Sequence, residues 1–149
     1  MRWPSRWLGV ILALTSACAA ASTASTSTAP APTLRFEDFF VPGQATLVPS
    51  RQLLAARGQR VRIVGFMAEM ELPPAQGFYL TSRPISCDEA GGGTADLPPD
   101  AVRVLITPAP AQPIPHLPGP IEITGVLETG AKDERDGTVS HIRLLLKGG

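Results

Sequence analysis

Four kinds of side chain in this 149-residue sequence could carry chemistry: thiols, imidazoles, paired carboxylates and clustered guanidinium groups. Cys87 is the obvious nucleophile. A reactive cysteine needs its thiolate stabilised by a nearby cation, an imidazole or a helix N-terminus. Asp88 and Glu89 follow it instead, their negative charge disfavours the thiolate, and the cation Arg83 stands four residues back, beyond Pro84. A packed thiol is therefore the expectation, with a small thiol-dependent enzyme as the rival. A metal site would draw on Cys87, His116 and His141 with a carboxylate, yet no two of these share a spacing such as Cys-x-x-Cys or His-x-x-x-His. They could converge only through the fold, where segments 86–99 and 107–120 meet. Glu69 and Glu71 would share one face of a strand and form an acid–base pair, but exposed carboxylates on a solvated strand are far commoner. Gly91-Gly92-Gly93 lacks the Lys and the Ser or Thr of a phosphate loop and is expected to be a flexible tip. Arg51, Arg57, Arg60 and Arg62 form a local basic cluster suited to lipid headgroups or to a protein partner. No catalytic residue and no cofactor is assigned on these patterns.

Composition narrows the classes further. Thirteen basic groups balance thirteen acidic ones, only 17% of residues are charged, and aromatic residues make up 5%. Binding a polyanion requires a positive groove and faces for stacking. Downstream of residue 33 the aromatic side chains are Phe36, Phe39, Phe40, Phe66, Phe78 and Tyr79, most of them expected in a core. No nucleic-acid partner is expected.

The N-terminus explains where such a chain would work. Arg2 and Arg6 precede the apolar run Trp7 to Leu14, and small residues fill Thr15 to Ala21. A basic start, a short apolar stretch and a small-residue cleavage zone describe a secretory signal peptide, here residues 1–17. The run is too short for a membrane span, which needs about 20 apolar residues. Leu14-Thr15-Ser16-Ala17-Cys18 resembles the bacterial lipobox, with Thr15 where Leu is usual, and implies that Cys18 is diacylated and becomes the mature N-terminus. Ordinary cleavage beside Ala19 is the alternative, and it would discard Cys18. The Ala/Ser/Thr/Pro tract that follows favours the lipid: it cannot bury enough apolar surface to order itself, so residues 18–33 are expected to form a flexible tether. Acyl chains in pairs anchor stably where one does not. In a Gram-negative cell, Ala19 favours the outer membrane over the inner. Acylated Cys18 is unavailable and cleaved Cys18 is gone, so on either route Cys87 is alone in the mature chain and no intramolecular disulfide is expected. Loss of Arg2 and Arg6 leaves the exported form mildly acidic.

Residues 34–147 are expected to hold a mostly β domain with one short helix. Phe36, Phe39 and Phe40 have the spacing of a helical turn and should act as a packing hook. Ser50 can cap a helix from Arg51 to Arg57, with Gly58 suited to the left-handed position after it. Strands are expected at 60–70, 77–82, 102–106, 121–128 and 139–146, with Val61, Ile63 and Met67 on the core face of the first. Gly65 is expected to interrupt that alternation where a barrel strand bends. Lys132 to Gly137 is a charged hairpin tip ending in Asp-Gly. Segment 107–120, with six prolines, should run as an extended, stiff connector. Five short strands, two carrying an internal Gly, suggest a five-stranded OB-like barrel, with a small β-sandwich as the alternative.

The succession LRFEDFFVPG, LVPS, GQRVRIVGFMAEMEL, FYLTS, a Cys, a Pro-rich loop and PIEITGVLET resembles a bacterial family of exported proteins. Its members, often lipoproteins, carry a domain of unknown function with an OB-like core. Phe36 and Phe39 stand where that family tends to have Trp and Leu, and Phe66 where it has an aromatic residue. Some relatives accompany ABC-type transport systems, which implies an accessory role in the envelope. The resemblance carries no catalytic residue. The expected function is thus a non-enzymatic, membrane-anchored envelope lipoprotein that binds another envelope protein, with a periplasmic metal-binding module as the rival.

Trp3 and Trp7 are the two tryptophans and both precede the expected cleavage point. Mature protein purified from the envelope should accordingly lack indole fluorescence, and mass spectrometry should find no polypeptide beginning at Met1.

Overall fold

The computed structural model describes residues 30–87 and 93–148. The expected signal peptide 1–17, Cys18 and the tether up to residue 29 lie outside the described residues, as do Gly91 and Gly92. Ser50 starts the helix α1, Arg51–Ala56, accepting a hydrogen bond from Leu53 N at 3.0 Å and donating from its hydroxyl to Asp38 O. Both bonds satisfy groups left open at the helix start and the preceding turn. Just upstream, Phe36–Asp38 form one 3-10 turn, and Phe39 behind it is fully buried. The packing hook is therefore present, with Phe36 and Phe40 lying against the core from its edge.

Strands follow in the order β1 (Arg60–Met67), β2 (Glu69–Met70), β3 (Gly77–Thr81), β4 (Ser86–Cys87), β5 (Val102–Thr107), β6 (Pro120–Asp133) and β7 (Val139–Lys147). Five of them close into a barrel in the order β1-β3-β5-β7-β6, and β6 returns to β1. Only the β5–β7 contact is parallel; the other barrel contacts are antiparallel. The mostly β, OB-like barrel with one short helix is thus the observed architecture, and ring closure sets aside the sandwich. Closure leaves no ladder edge exposed, which is how a small sheet avoids edge pairing.

Inward-facing residues come from alternate positions: Val61, Ile63 and Met67 on β1, Phe78 and Leu80 on β3, Val102 and Val104 on β5, Leu127 on β6, Ile142 and Leu144 on β7. Leu53 from α1 and Phe39 complete the core, which is closed within residues 34–146. Ile114 of the Pro-rich segment packs against it too, so the stiff connector also covers one part of the barrel.

The expected first strand, 60–70, divides at Ala68. Its residues up to Phe66 pair with β6, Phe66 and Met67 then pair with β3, and Glu69–Met70 leave the barrel to run parallel to β4. Gly65 does not interrupt the alternation; it occupies a buried inward position. A Cβ there would stand 2.7 Å from Thr81 O, 2.8 Å from Phe36 and 2.9 Å from Leu80. Its missing side chain is what lets β3 and the phenylalanine hook approach the strand as it changes partners. Gly77 is tighter still, with φ at +144° and a would-be Cβ 1.9 Å from Val104 O.

Gly77→Ala should therefore cost about 2–4 kcal/mol through overlap and backbone strain, and Gly65→Ala about 1–3 kcal/mol. Gly148→Ala, whose Cβ would meet nothing closer than 3.7 Å, should change stability by under about 0.5 kcal/mol. Urea midpoints at unchanged m-value measure all three.

Candidate functional site

Arg103 on β5 and Arg143 on β7 are direct partners across the parallel pair, and each is only 5% exposed. Neighbours on either side of them in sequence point into the core, so both guanidinium groups lie on the outer face of the barrel. Two cations side by side and out of water require counter-charge and hydrogen-bond acceptors. The β6–β7 hairpin supplies both. Arg143 Nε donates to Glu128 at 3.1 Å, and its Nη1 donates to Gly130 O, Ser140 O and Ser140 Oγ. The Ser140 hydroxyl in turn donates to Glu134.

Arg103 is held by the hairpin tip. Its Nη2 donates to Asp136 Oδ2 at 2.5 Å, and its Nη1 donates to Tyr79 OH at 2.6 Å and Thr138 Oγ1 at 2.8 Å. The guanidinium carbon lies 5.3 Å from the centroid of the Tyr79 ring, within cation–π reach. Asp136 Oδ1 accepts from the Thr138 hydroxyl at 2.6 Å and from Thr138 N at 3.2 Å, which sets the turn. Burial alone would raise the Asp136 pKa, but the bonds from Arg103 and Thr138 outweigh it and hold the carboxyl at about 2. Burial likewise opposes the charge on Arg103, whereas Asp136 and the surrounding negative groups raise its pKa above the ordinary value. One donor is left over: the buried Arg103 Nε–H meets no acceptor among the described residues.

A cleft of about 300 Å³ lies above this arginine. Tyr79 and Arg103 belong to its lining, with Thr138, Ser140 and His141 on the hairpin side and Leu97, Pro98 and Pro99 on the other. The lining thus combines polar and apolar groups, the combination that lets a site both desolvate and orient a ligand. A wider groove of about 590 Å³ runs beside Arg35, Phe36 and Glu37. Its Arg35–Glu37 ion pair is about 70% exposed on both sides, so the charge there is already well hydrated and the groove offers less recognition.

The residues singled out in the sequence are dispersed. Cys87 is buried on β4 in register with Met70. His116 is exposed on the Pro-rich segment with Nε2 3.1 Å from Met67 O, while His141 stands in the Arg103 cleft. Among the described residues no three His, Cys, Asp or Glu side chains gather as a metal site. Glu69 is exposed and partly buried Met70 separates it from Glu71 outside the barrel. Arg51, Arg57 and Arg60 are exposed, whereas Arg62 is turned toward Thr33 and Glu122.

Sequence reasoning missed Arg103, Arg143 and Asp136. The signal was present: Val102-Arg103-Val104-Leu105-Ile106 and Ile142-Arg143-Leu144-Leu145-Leu146 each set one cation in an otherwise apolar run. A strand apolar at both alternating positions is covered on both faces, so its lone charge must be buried and compensated.

No family model and no curated protein matches the chain. Among solved structures, the crystal structure of a DUF3299 family protein from Pseudomonas aeruginosa PAO1 is similar at 15% identity, covering 78% of this chain and 93% of that one, with a TM-score of 0.44. Likeness of that degree assigns no residue, ligand or activity.

The Asp136 carboxyl titrates near 3.8 when unfolded and at about 2 when folded, so its contribution to stability is complete above the first value and lost as the pH falls through the second. At neutral pH, Asp136→Asn should destabilise the chain by about 1–2 kcal/mol, less than for a fully buried pair because Asp136 is 38% exposed. Chemical denaturation repeated from pH 7 to pH 2 should show the gap between variant and wild type closing below pH 4.

Proposed function

We propose that this chain is a binding module of the bacterial cell envelope, anchored to a membrane through acylated Cys18 and free of catalytic duty. The Arg103 cleft is the observation that carries the binding role. In an OB-type barrel the outer face of the second and third strands, together with the loop between the fourth and fifth, is the common ligand surface. Here those elements are β3, β5 and the 134–138 hairpin tip, and each contributes to the cleft, beside segment 94–99. That correspondence is an analogy of fold; Arg103 gives it chemical content. The Arg103 charge and the Thr138 and His141 side chains suit a ligand oxygen, such as a carbonyl or carboxylate, while Leu97 and the prolines cover the apolar part of the same ligand. The partner that suits an anchored accessory module is another envelope protein, and a component of a transport system fits the resemblance noted above.

Labelling with radioactive palmitate tests the anchor: wild type should incorporate the label and Cys18→Ser should not, and an unlabelled, soluble wild type would end the lipoprotein reading. For the cleft, a photoreactive side chain placed at His141 should give a discrete adduct in envelope preparations. The same group at Asp133, exposed on the hairpin outside the cleft, should not. Equal adducts at both positions, or none at His141, would remove the cleft as the binding surface.

A further inference from the structure

Helix α1 buries one side chain, Leu53, and leaves its opposite face in solvent. Arg51, Leu54 and Ala55 share that exposed face, with Leu54 52% exposed. Leu47 and Val48 lead into the helix at 55% and 40% exposure. Arg57 and Arg60 follow it, and Val126, the partner of Arg60 on β6, is exposed as well. Among the described residues Arg51, Arg57 and Arg60 enter none of the ion pairs, which involve Arg35, Arg62, Arg103 and Arg143. Three uncompensated cations therefore border a set of exposed aliphatic side chains.

We infer that this face, formed by α1, the start of β1 and the adjoining part of β6, docks on an anionic lipid surface. Aliphatic groups flanked by arginines suit the interfacial zone, where the alkyl parts enter the acyl boundary and the guanidinium groups meet phosphates. One further observation fits. In the ring order β1-β3-β5-β7-β6, strand β5 lies across the barrel from the β1–β6 seam. Docking by the seam thus leaves the Arg103 cleft facing the aqueous compartment. The surface stands on its own charge and apolar pattern, so the inference survives even if the cleft or the acylation does not.

The test uses the chain from Ala19 onward, which keeps the entire barrel core and lacks both the apolar leader and Cys18. In flotation assays it should associate with vesicles of phosphatidylcholine mixed with phosphatidylglycerol, weakly with phosphatidylcholine alone, and less as salt is raised. Each lost arginine should cut partitioning about fivefold, and reversal of two by more. Arg51→Glu/Arg57→Glu should therefore lower it at least about 25-fold, Leu54→Asp should lower it too, and Arg83→Glu, an exposed change elsewhere, should leave it unaltered. Thermal unfolding identical to wild type confirms that the variants are folded. Absence of flotation with the anionic vesicles, or variants that float like wild type, overturns the inference, as does a face that cross-links to a protein but never to lipid.

Discussion

The outer side of this barrel depends on keeping two arginines neutralised away from water. Arg103 and Arg143 face each other across the parallel strands β5 and β7, each almost fully buried. Parallel pairing sets them shoulder to shoulder, and neither can be hydrated where it sits. Among the described residues the counter-charges come from one hairpin, Glu128 for Arg143, and Asp136 at the tip with Glu134 nearby for Arg103. The hairpin therefore cannot swing free without stranding a buried cation. That constraint fixes the tip over β3 and β5, and the cleft exists because the tip is fixed there.

Inside the barrel the limiting factor is space. Strand β1 serves two neighbours in succession, β6 over most of its length and β3 at its end. The change of partner brings Thr81, Leu80 and Phe36 against one backbone position, which only Gly65 can accommodate. Large side chains fill what remains: Phe39, Leu53, Ile63, Leu80, Leu127, Ile142 and Leu144 are all among the fully buried residues. Burial of each contributes about 1.5–3 kcal/mol against its own conformational entropy.

The two sides of the ring differ in chemistry. Over β3, β5 and β7 charge is buried and paired beside a cleft that is partly apolar. Around α1 and the start of β1, Arg51, Arg57 and Arg60 are exposed and enter no ion pair among the described residues, with aliphatic side chains between, while Arg62 further along the seam is paired with Glu122. The first pattern suits recognition of a defined group and the second suits a diffuse anionic surface. The two patterns lie on opposite sides of a small barrel.

Much of this architecture was legible in the amino-acid order. Alternation of apolar residues located five barrel strands, Ser50 located the start of the helix, and the spacing of Phe36, Phe39 and Phe40 located the hook, because each depends on periodicity or on a contact a few residues away. The candidate site was not legible. Arg103, Asp136 and Tyr79 are separated by 24 to 57 positions along the chain and meet only after β5 and β7 pair in parallel and the hairpin folds across them. Cys87, His116 and His141, the residues whose types suggested chemistry, were placed by the fold in separate surroundings. Local order could set which faces are apolar; which charges become neighbours, and therefore which are buried and in need of a partner, was decided by strand pairing over long distance.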